Sequence, residues 1–131
     1  MEAQVGEMVR VLDRYGQLDG LWVFGSQAEG KATATSDVDL AALFAARPPR
    51  DALFSARLEI EELLRKPVDL IDIEAASPIL AMQVLRRGRV LRNCDAAHMI
   101  RFAAALPGRY EDVILLRRPL ERLLRERLAG G

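Results

Sequence analysis

The sequence predicts an α/β (α+β) domain, a small mixed sheet with flanking helices, over residues 1–131. Short apolar runs of strand length stand at residues 21–24, 37–44 and 68–73, separated and flanked by stretches of helical periodicity. Glycine and proline punctuate nearly every junction between them. A chain of 131 residues, half of them hydrophobic and without internal repeats or linkers, holds one core and is too short for two. Alternating strands and helices around one core make a single sheet domain.

Each element has its own signal. Residues 2–15 carry Val5, Met8, Val9 and Leu12 at helical spacing and stop at Gly16. Leu21, Trp22, Val23 and Phe24 are apolar on both faces, as a covered central strand requires. A loop rich in Gly, Lys and Thr, residues 29–36, leads to the strand at 37–44. After the Pro48-Pro49 turn, Asp51 is positioned to cap a helix reaching Arg65, with Leu53, Ala56, Ile60 and Leu63 on one face. Pro67 breaks that helix and opens the strand at 68–73. Ser77-Pro78 reads as N-cap and first turn of a helix that ends at Gly88, and a short strand follows at 89–91. Asp95 caps a helix to Leu106; Pro107-Gly108 separates it from a helical extension over 108–129, itself interrupted at Pro119.

Composition excludes several functions. The longest run without a polar residue, 40–46, is far below the roughly 20 residues of a membrane span. Glu2 and Glu7 follow Met1 where a secretory signal would have a basic start, so a cytoplasmic protein is expected. One cysteine, Cys94, and one histidine, His98, leave no disulfide, thiolate zinc site or serine triad. Net charge is zero but divided: residues 1–74 carry eight Lys/Arg against fourteen Asp/Glu, and 75–131 carry eleven against five. The plain reading of that division is a solvated basic helix face; the sharper one is an acidic site in the first half and a basic C-terminal surface for an anionic ligand or partner.

The chemistry concentrates in Gly25-Ser26 and, after ten residues, Asp37-Val38-Asp39. Side chains two apart on a strand share a face, so the two aspartates project together. Like charges that close call for a cation between them or a proton on one. Hard divalent ions such as Mg²⁺ seek these oxygens and bind substrate phosphates as well. Gly25 permits close approach of a bulky anion, and Ser26 offers a hydroxyl and an N–H at a short helix start. Asp69, on a later strand, could complete a two-metal site, whereas Asp72 faces the other way and reads as a surface or cap residue.

With these residues in place, the chain resembles the minimal nucleotidyltransferases of the polymerase-β-like superfamily, whose pattern is G-S-x(10)-D-x-D. The surrounding FGSQAEGKATATSDVDLAALF and the later KPVDLIDIE carry the likeness further, and it is greatest to MntA-type antitoxins encoded beside a HEPN ribonuclease toxin. The resemblance implies a polymerase-β-like fold in which Asp37, Asp39 and Asp69 are catalytic and hold two Mg²⁺ ions. It assigns nucleotide binding to Gly25, Ser26 and Ser36, with ATP as substrate. It further implies transfer of AMP to a tyrosine of the cognate toxin, which inactivates it, and a homo-oligomer or a hetero-oligomer with that toxin. Gln27 departs from the pattern, where arginine is common.

Two other readings compete. A nucleotidyltransferase for a small hydroxylated molecule usually carries an added acceptor domain, for which 131 residues leave no room. A non-catalytic antitoxin that neutralises by binding has no need of three acids. Arg92-Asn93 with His98 imitates the R-x(4–6)-H motif of the HEPN toxins, but those are all-helical, so the match is read as coincidence, His98 as a helix-surface residue and Cys94 as unreactive. At the C-terminus Val113, Leu116, Leu120, Leu123 and Leu124 form an apolar stripe among Arg117, Arg118, Arg122, Arg125 and Arg127. That basic amphipathic helix suits partner docking. Without interleaved aromatics it predicts no direct nucleic-acid binding.

Overall fold

The computed structural model describes residues 1–33 and 36–130; the side chains of Leu116, Arg117, Arg118 and Ala129 lie outside the described residues. After one 3-10 turn at Glu2–Gln4 the order is α1 (Val5–Tyr15), β1 (Leu18–Phe24), a 3-10 turn at Gly25–Gln27, and β2 (Val38–Phe44). Then follow α2 (Arg50–Leu64), β3 (Val68–Asp72), α3 (Pro78–Arg87), β4 (Arg89–Asn93) and α4 (Ala96–Gly130). The sheet order is β3-β2-β1-β4. β1 runs antiparallel to both β2 and β4, and β2 runs parallel to β3 through the α2 crossover. The mixed sheet is as the sequence predicts.

Strand alternation splits the core into two layers. Leu21 and Val23 of β1, Leu40 and Ala42 of β2, and Leu70 of β3 meet Met8 and Leu12 of α1 and Ile60 of α2. Trp22, Ala41 and Leu43 face the other way, against Ala81 and Val84 of α3 and Phe102 and Leu106 of α4. Covering both faces explains why residues 21–24 of β1 read as uninterrupted apolar sequence. Across the first layer Tyr15 and Arg14 both reach Glu59, clasping α1 to α2, the arginine at 2.6 Å. Among the described residues, no helix is long and apolar enough to cross a membrane.

Several boundaries differ from the sequence reading. β1 begins at Leu18, and takes in Asp19 and Gly20, because a central strand is paired on both sides and overrides their weak strand preference. A register shift between Leu18 and Gly20 leaves Asp19 as the extra residue of a bulge. The N-cap of α2 is Pro49, whose carbonyl accepts the Leu53 N–H at 3.2 Å, so Asp51 lies inside the first turn and caps nothing. Arg65 (φ 55°) closes α2 in the left-handed region. Ser77 caps α3 through its hydroxyl, and Asp95 accepts the His98 N–H at 3.1 Å, as their sequence positions suggest. α4 is one helix through both Pro107 and Pro119. A proline forfeits one main-chain bond, but Phe102, Leu106 and Tyr110, four residues apart, all pack on the same core and carry the helix across Pro107.

Candidate active site

The site forms where β1 ends and β2 begins. Gly25 leaves β1 with φ +68°, and a Cβ there would collide with Oδ2 of Asp39. Glycine is therefore demanded twice, by the left-handed backbone and by the carboxylate lying against it. Asp39 sits opposite Phe24 across the β1–β2 pair and opposite Asp69 across the parallel β2–β3 pair. Same-register neighbours project from the same face, so the structure brings Asp39 and Asp69 together on the α3 side of the sheet. Asp37, one residue ahead of β2, is exposed yet close enough to act on Asp39.

The electrostatics are uncompensated. Burial pushes the Asp39 carboxyl above its ordinary value, and the charges of Asp69 and then Asp37 push it further in the same direction. Among the described residues, no three Asp, Glu, His or Cys groups converge closely enough to cage a metal ion unaided. The donor set nonetheless suits a hard cation, with anionic oxygens, excess negative charge and a bare backbone at Gly25 where a phosphate could supply further ligands. Beside the pair lies a cleft of about 280 Å³ lined by Phe24, Gly25, Glu29, Asp39, Gln83 and Arg87. The exposed Arg87 guanidinium stands 4.0 Å from Glu29 and brings positive charge to an otherwise acidic opening.

The serines are less central. Ser26 belongs to a single three-residue turn rather than a true helix start, and its carbonyl accepts the Lys31 N–H at 3.0 Å. Ser36 accepts the Thr33 N–H at 2.8 Å and shares a hydrogen bond with its hydroxyl, closing the loop just ahead of Asp37. Gln27 buries its side-chain nitrogen with no partner among the described residues, and it does not line the cleft. Sequence reasoning missed Gln83 and Arg87, whose spacing puts them on one face of α3. Only the fold reveals that this face overlooks Gly25.

His98 is not the surface residue expected. Its Nδ1 lies 2.5 Å from Asp19 Oδ2 and its Nε2 3.0 Å from Glu74 Oε1, and the ring is only 15% exposed. The bulge in β1 aims Asp19 at α4 and so creates the pair. The toxin-like R-N-x(4)-H spacing is coincidental in space: the Arg92 Nη2 lies 3.9 Å from the Cβ position of Gly6 on α1, on the face opposite α4. Burial raises the Cys94 thiol, with the charges of Asp13 and Asp19 adding to the effect, so little thiolate forms. Asp72 is buried, not superficial; it accepts the Glu74 N–H at 3.0 Å, capping the turn after β3.

Comparison with known proteins agrees with this geometry. The polymerase beta nucleotidyltransferase family matches residues 7–97. A protein adenylyltransferase MntA of Shewanella oneidensis is 32% identical over 79 residues, 60% of this chain, and the matched part spans just 57% of that relative's length. A crystal structure of a toxin–antitoxin with AMP-PNP superposes with a TM-score of 0.82 at 25% identity, covering 95% of this chain and 98% of the other. An MNT antitoxin in complex with the tri-AMPylated Shewanella oneidensis HEPN toxin gives a TM-score of 0.76 at 22% identity, covering 95% and 99%, which speaks to the fold alone. The family match takes in both strands that carry the acids and Gly25 ahead of them, and the chain belongs to the polymerase beta nucleotidyltransferase family.

Proposed function

We propose that the chain is an Mg²⁺-dependent antitoxin that transfers AMP from ATP to a tyrosine of a cognate HEPN ribonuclease toxin, with residues 1–131 as one nucleotidyltransferase domain. The carrying observation is the in-register pair Asp39 and Asp69 beside Gly25, acidic, uncompensated and adjoining a phosphate-sized cleft. The named relative, a protein adenylyltransferase, supports AMP as the transferred group, and the antitoxin structure with AMP-PNP supports ATP as its source.

In this reading Asp37, Asp39 and Asp69 hold two Mg²⁺ ions, which when bound neutralise charge on the phosphates during in-line displacement. Gly25, Ser26 and Ser36 bind the triphosphate, and Arg87 draws the anion into the cleft. Asp69 orients the acceptor hydroxyl and takes its proton. Beyond the core contact at Tyr110, α4 presents Leu120, Leu123, Leu124 and Leu128, each more than half exposed, bordered by Arg122, Arg125 and Arg127. This face docks the toxin.

The test is incorporation of label from α-labelled ATP into the helical protein encoded beside this chain. Asp37→Ala and Asp39→Ala should each abolish it, and ATP with Mg²⁺ should raise the melting temperature of the parent but not of the double variant. Toxin neutralised equally by the double variant would mean that binding alone suffices. A toxin unbound after truncation behind Arg118, with ATP binding intact, would assign docking to the end of α4.

A further inference from the structure

The cleft beside Asp39 does not end at Arg87. Gln83 and Arg87 also line a second pocket of about 220 Å³, together with Ile79, Met82, Arg86 and Tyr110. Residues 79, 82, 83, 86 and 87 recur three and four apart, so one stripe of α3 borders both openings. The topology brings Tyr110 to the same end of the sheet. α4 starts beside the beginning of β1, where the Asp19 carbonyl accepts the Asp95 N–H at 2.9 Å. A helix rises about 21 Å between Ala96 and Tyr110, as much as the whole length of β1. Tyr110 thereby reaches the acid-bearing end, where Arg86 in the last turn of α3 lies over its ring at 5.7 Å. Directly after that turn, Arg89 of β4 stands opposite Val23 of β1, two residues ahead of Gly25.

The pocket's chemistry differs from that of the cleft alongside. Ile79, Met82 and the Tyr110 ring make an apolar floor, with Met82 and Tyr110 continuous with the core beneath. Gln83, Arg86 and Arg87 form an exposed polar rim. No carboxylate lines it, whereas the cleft holds Glu29 and Asp39. Phosphates and their cations belong with the acids; a neutral, planar ring with polar edges fits the pocket.

Resting on the reading above, we infer that this pocket holds the base of the nucleotide, with Tyr110 and Arg86 as the stacking pair and Gln83 as the group that selects adenine. Stacking on an aromatic ring or a guanidinium tolerates every base, because each has a π-face. Discrimination needs hydrogen bonds. An amide offers a donor and an acceptor side by side, and these match N7 and the N6 amine of adenine. Guanine presents two acceptors there and suits an arginine fork instead. The two arginines of the rim are otherwise engaged, Arg86 over Tyr110 and Arg87 at 4.0 Å from Glu29.

The experiment titrates the full chain, with Mg²⁺, by calorimetry against ATP, GTP, UTP and inorganic tripolyphosphate, which has the phosphates and no base. The parent should bind ATP at least tenfold more tightly than tripolyphosphate, the contribution of one stacked base. It should also favour ATP over UTP, whose smaller ring stacks less, and over GTP, a preference that Gln83→Ala should erase. Tyr110→Ala should weaken ATP about tenfold and leave tripolyphosphate unchanged, while Tyr110→Phe, which keeps the ring, retains ATP binding. Because Tyr110 also packs on the core, Ile79→Trp gives an independent check: the larger ring fills the pocket and should weaken ATP alone. Equal affinity of the parent for ATP and tripolyphosphate would overturn the base pocket. So would ATP binding untouched by Ile79→Trp, or a loss that tripolyphosphate shares equally. A preference for ATP over GTP that survives Gln83→Ala would overturn the role of Gln83. A parent that binds neither ATP nor tripolyphosphate would instead sink the nucleotidyltransferase reading itself.

Discussion

The two ends of one sheet hold similar acids in opposite circumstances. Where β1 starts and β3 ends, Asp19 and Glu74 share His98, and Asp72 has Arg47 at 3.9 Å and a main-chain N–H at 3.0 Å. Where β1 ends and β3 starts, Asp39 and Asp69 face each other with Asp37 nearby and no cation among the described side chains bonded to them. Burial alone does not separate the ends, because Asp19 is 3% exposed and Asp39 only half-buried. Partnership does. A folded chain pairs its acids where they serve the fold and leaves them repelling one another where a ligand must complete the set.

The largest effects come from breaking each end separately. Asp39→Asn should cost AMP transfer a factor of 10³ or more, as expected when a cation ligand is lost, while the melting temperature holds or rises because a repelled, partly desolvated charge is gone. His98→Gln should do the reverse. It leaves Asp19 buried without its cationic partner, at about 3 kcal/mol, yet touches nothing in the Gly25 cleft. Calorimetric melting and a transfer assay on both variants give four numbers. A destabilised Asp39→Asn protein, or an inactive His98→Gln protein of parental stability, would erase the distinction between the ends.

Acidity sharpens the contrast. Hydrogen bonding to Asp19 and then Glu74 raises His98 above its ordinary 6.5, although burial pulls the other way. A raised cation-forming group gives its full stability below the unfolded value and loses it as pH rises through the folded one. The stability difference between the parent and His98→Gln should therefore be greatest below about pH 6.5 and shrink on the alkaline side of the raised value. At the other end, protons compete with cations for the raised Asp39 carboxylate, so Mg²⁺ affinity should fall as pH drops toward it. Denaturant unfolding and Mg²⁺ titration across pH measure the two trends.

What the sequence shows of this arrangement follows from range. Gly25, Asp37 and Asp39 are near neighbours along the chain, and strand alternation, a two-residue rule, is enough to group the acids. Asp69 can be suspected from its place on an apolar run, but its pairing with Asp39 is a matter of parallel register, which no local signal encodes. The bulge at Asp19 is equally silent, so His98 looks superficial until β1 is seen to turn that carboxylate toward α4. Helix ends behave likewise. Ser77 and Asp95 cap as local rules demand, whereas the pull of Tyr110 into the core carries α4 past Pro107, where local rules stop it.

The smallest expected effect tests the boundary between the two ends along a single strand. Asp69 and Asp72 both belong to β3, three residues apart, and so project from opposite faces. Asp69→Asn should lose transfer with little change in stability, because its carboxylate is exposed. Asp72→Asn should keep most transfer and cost about 1 kcal/mol, since the amide oxygen still accepts the Glu74 N–H while the charge that attracts Arg47 at 3.9 Å is gone. That attraction is weak because Arg47 is largely exposed. Melting in low and high salt isolates it: the deficit of Asp72→Asn should narrow as salt rises. A deficit indifferent to salt would locate the cost in the turn hydrogen bond, and an Asp72→Asn protein without transfer would move the functional end of the strand to where the paired acids lie.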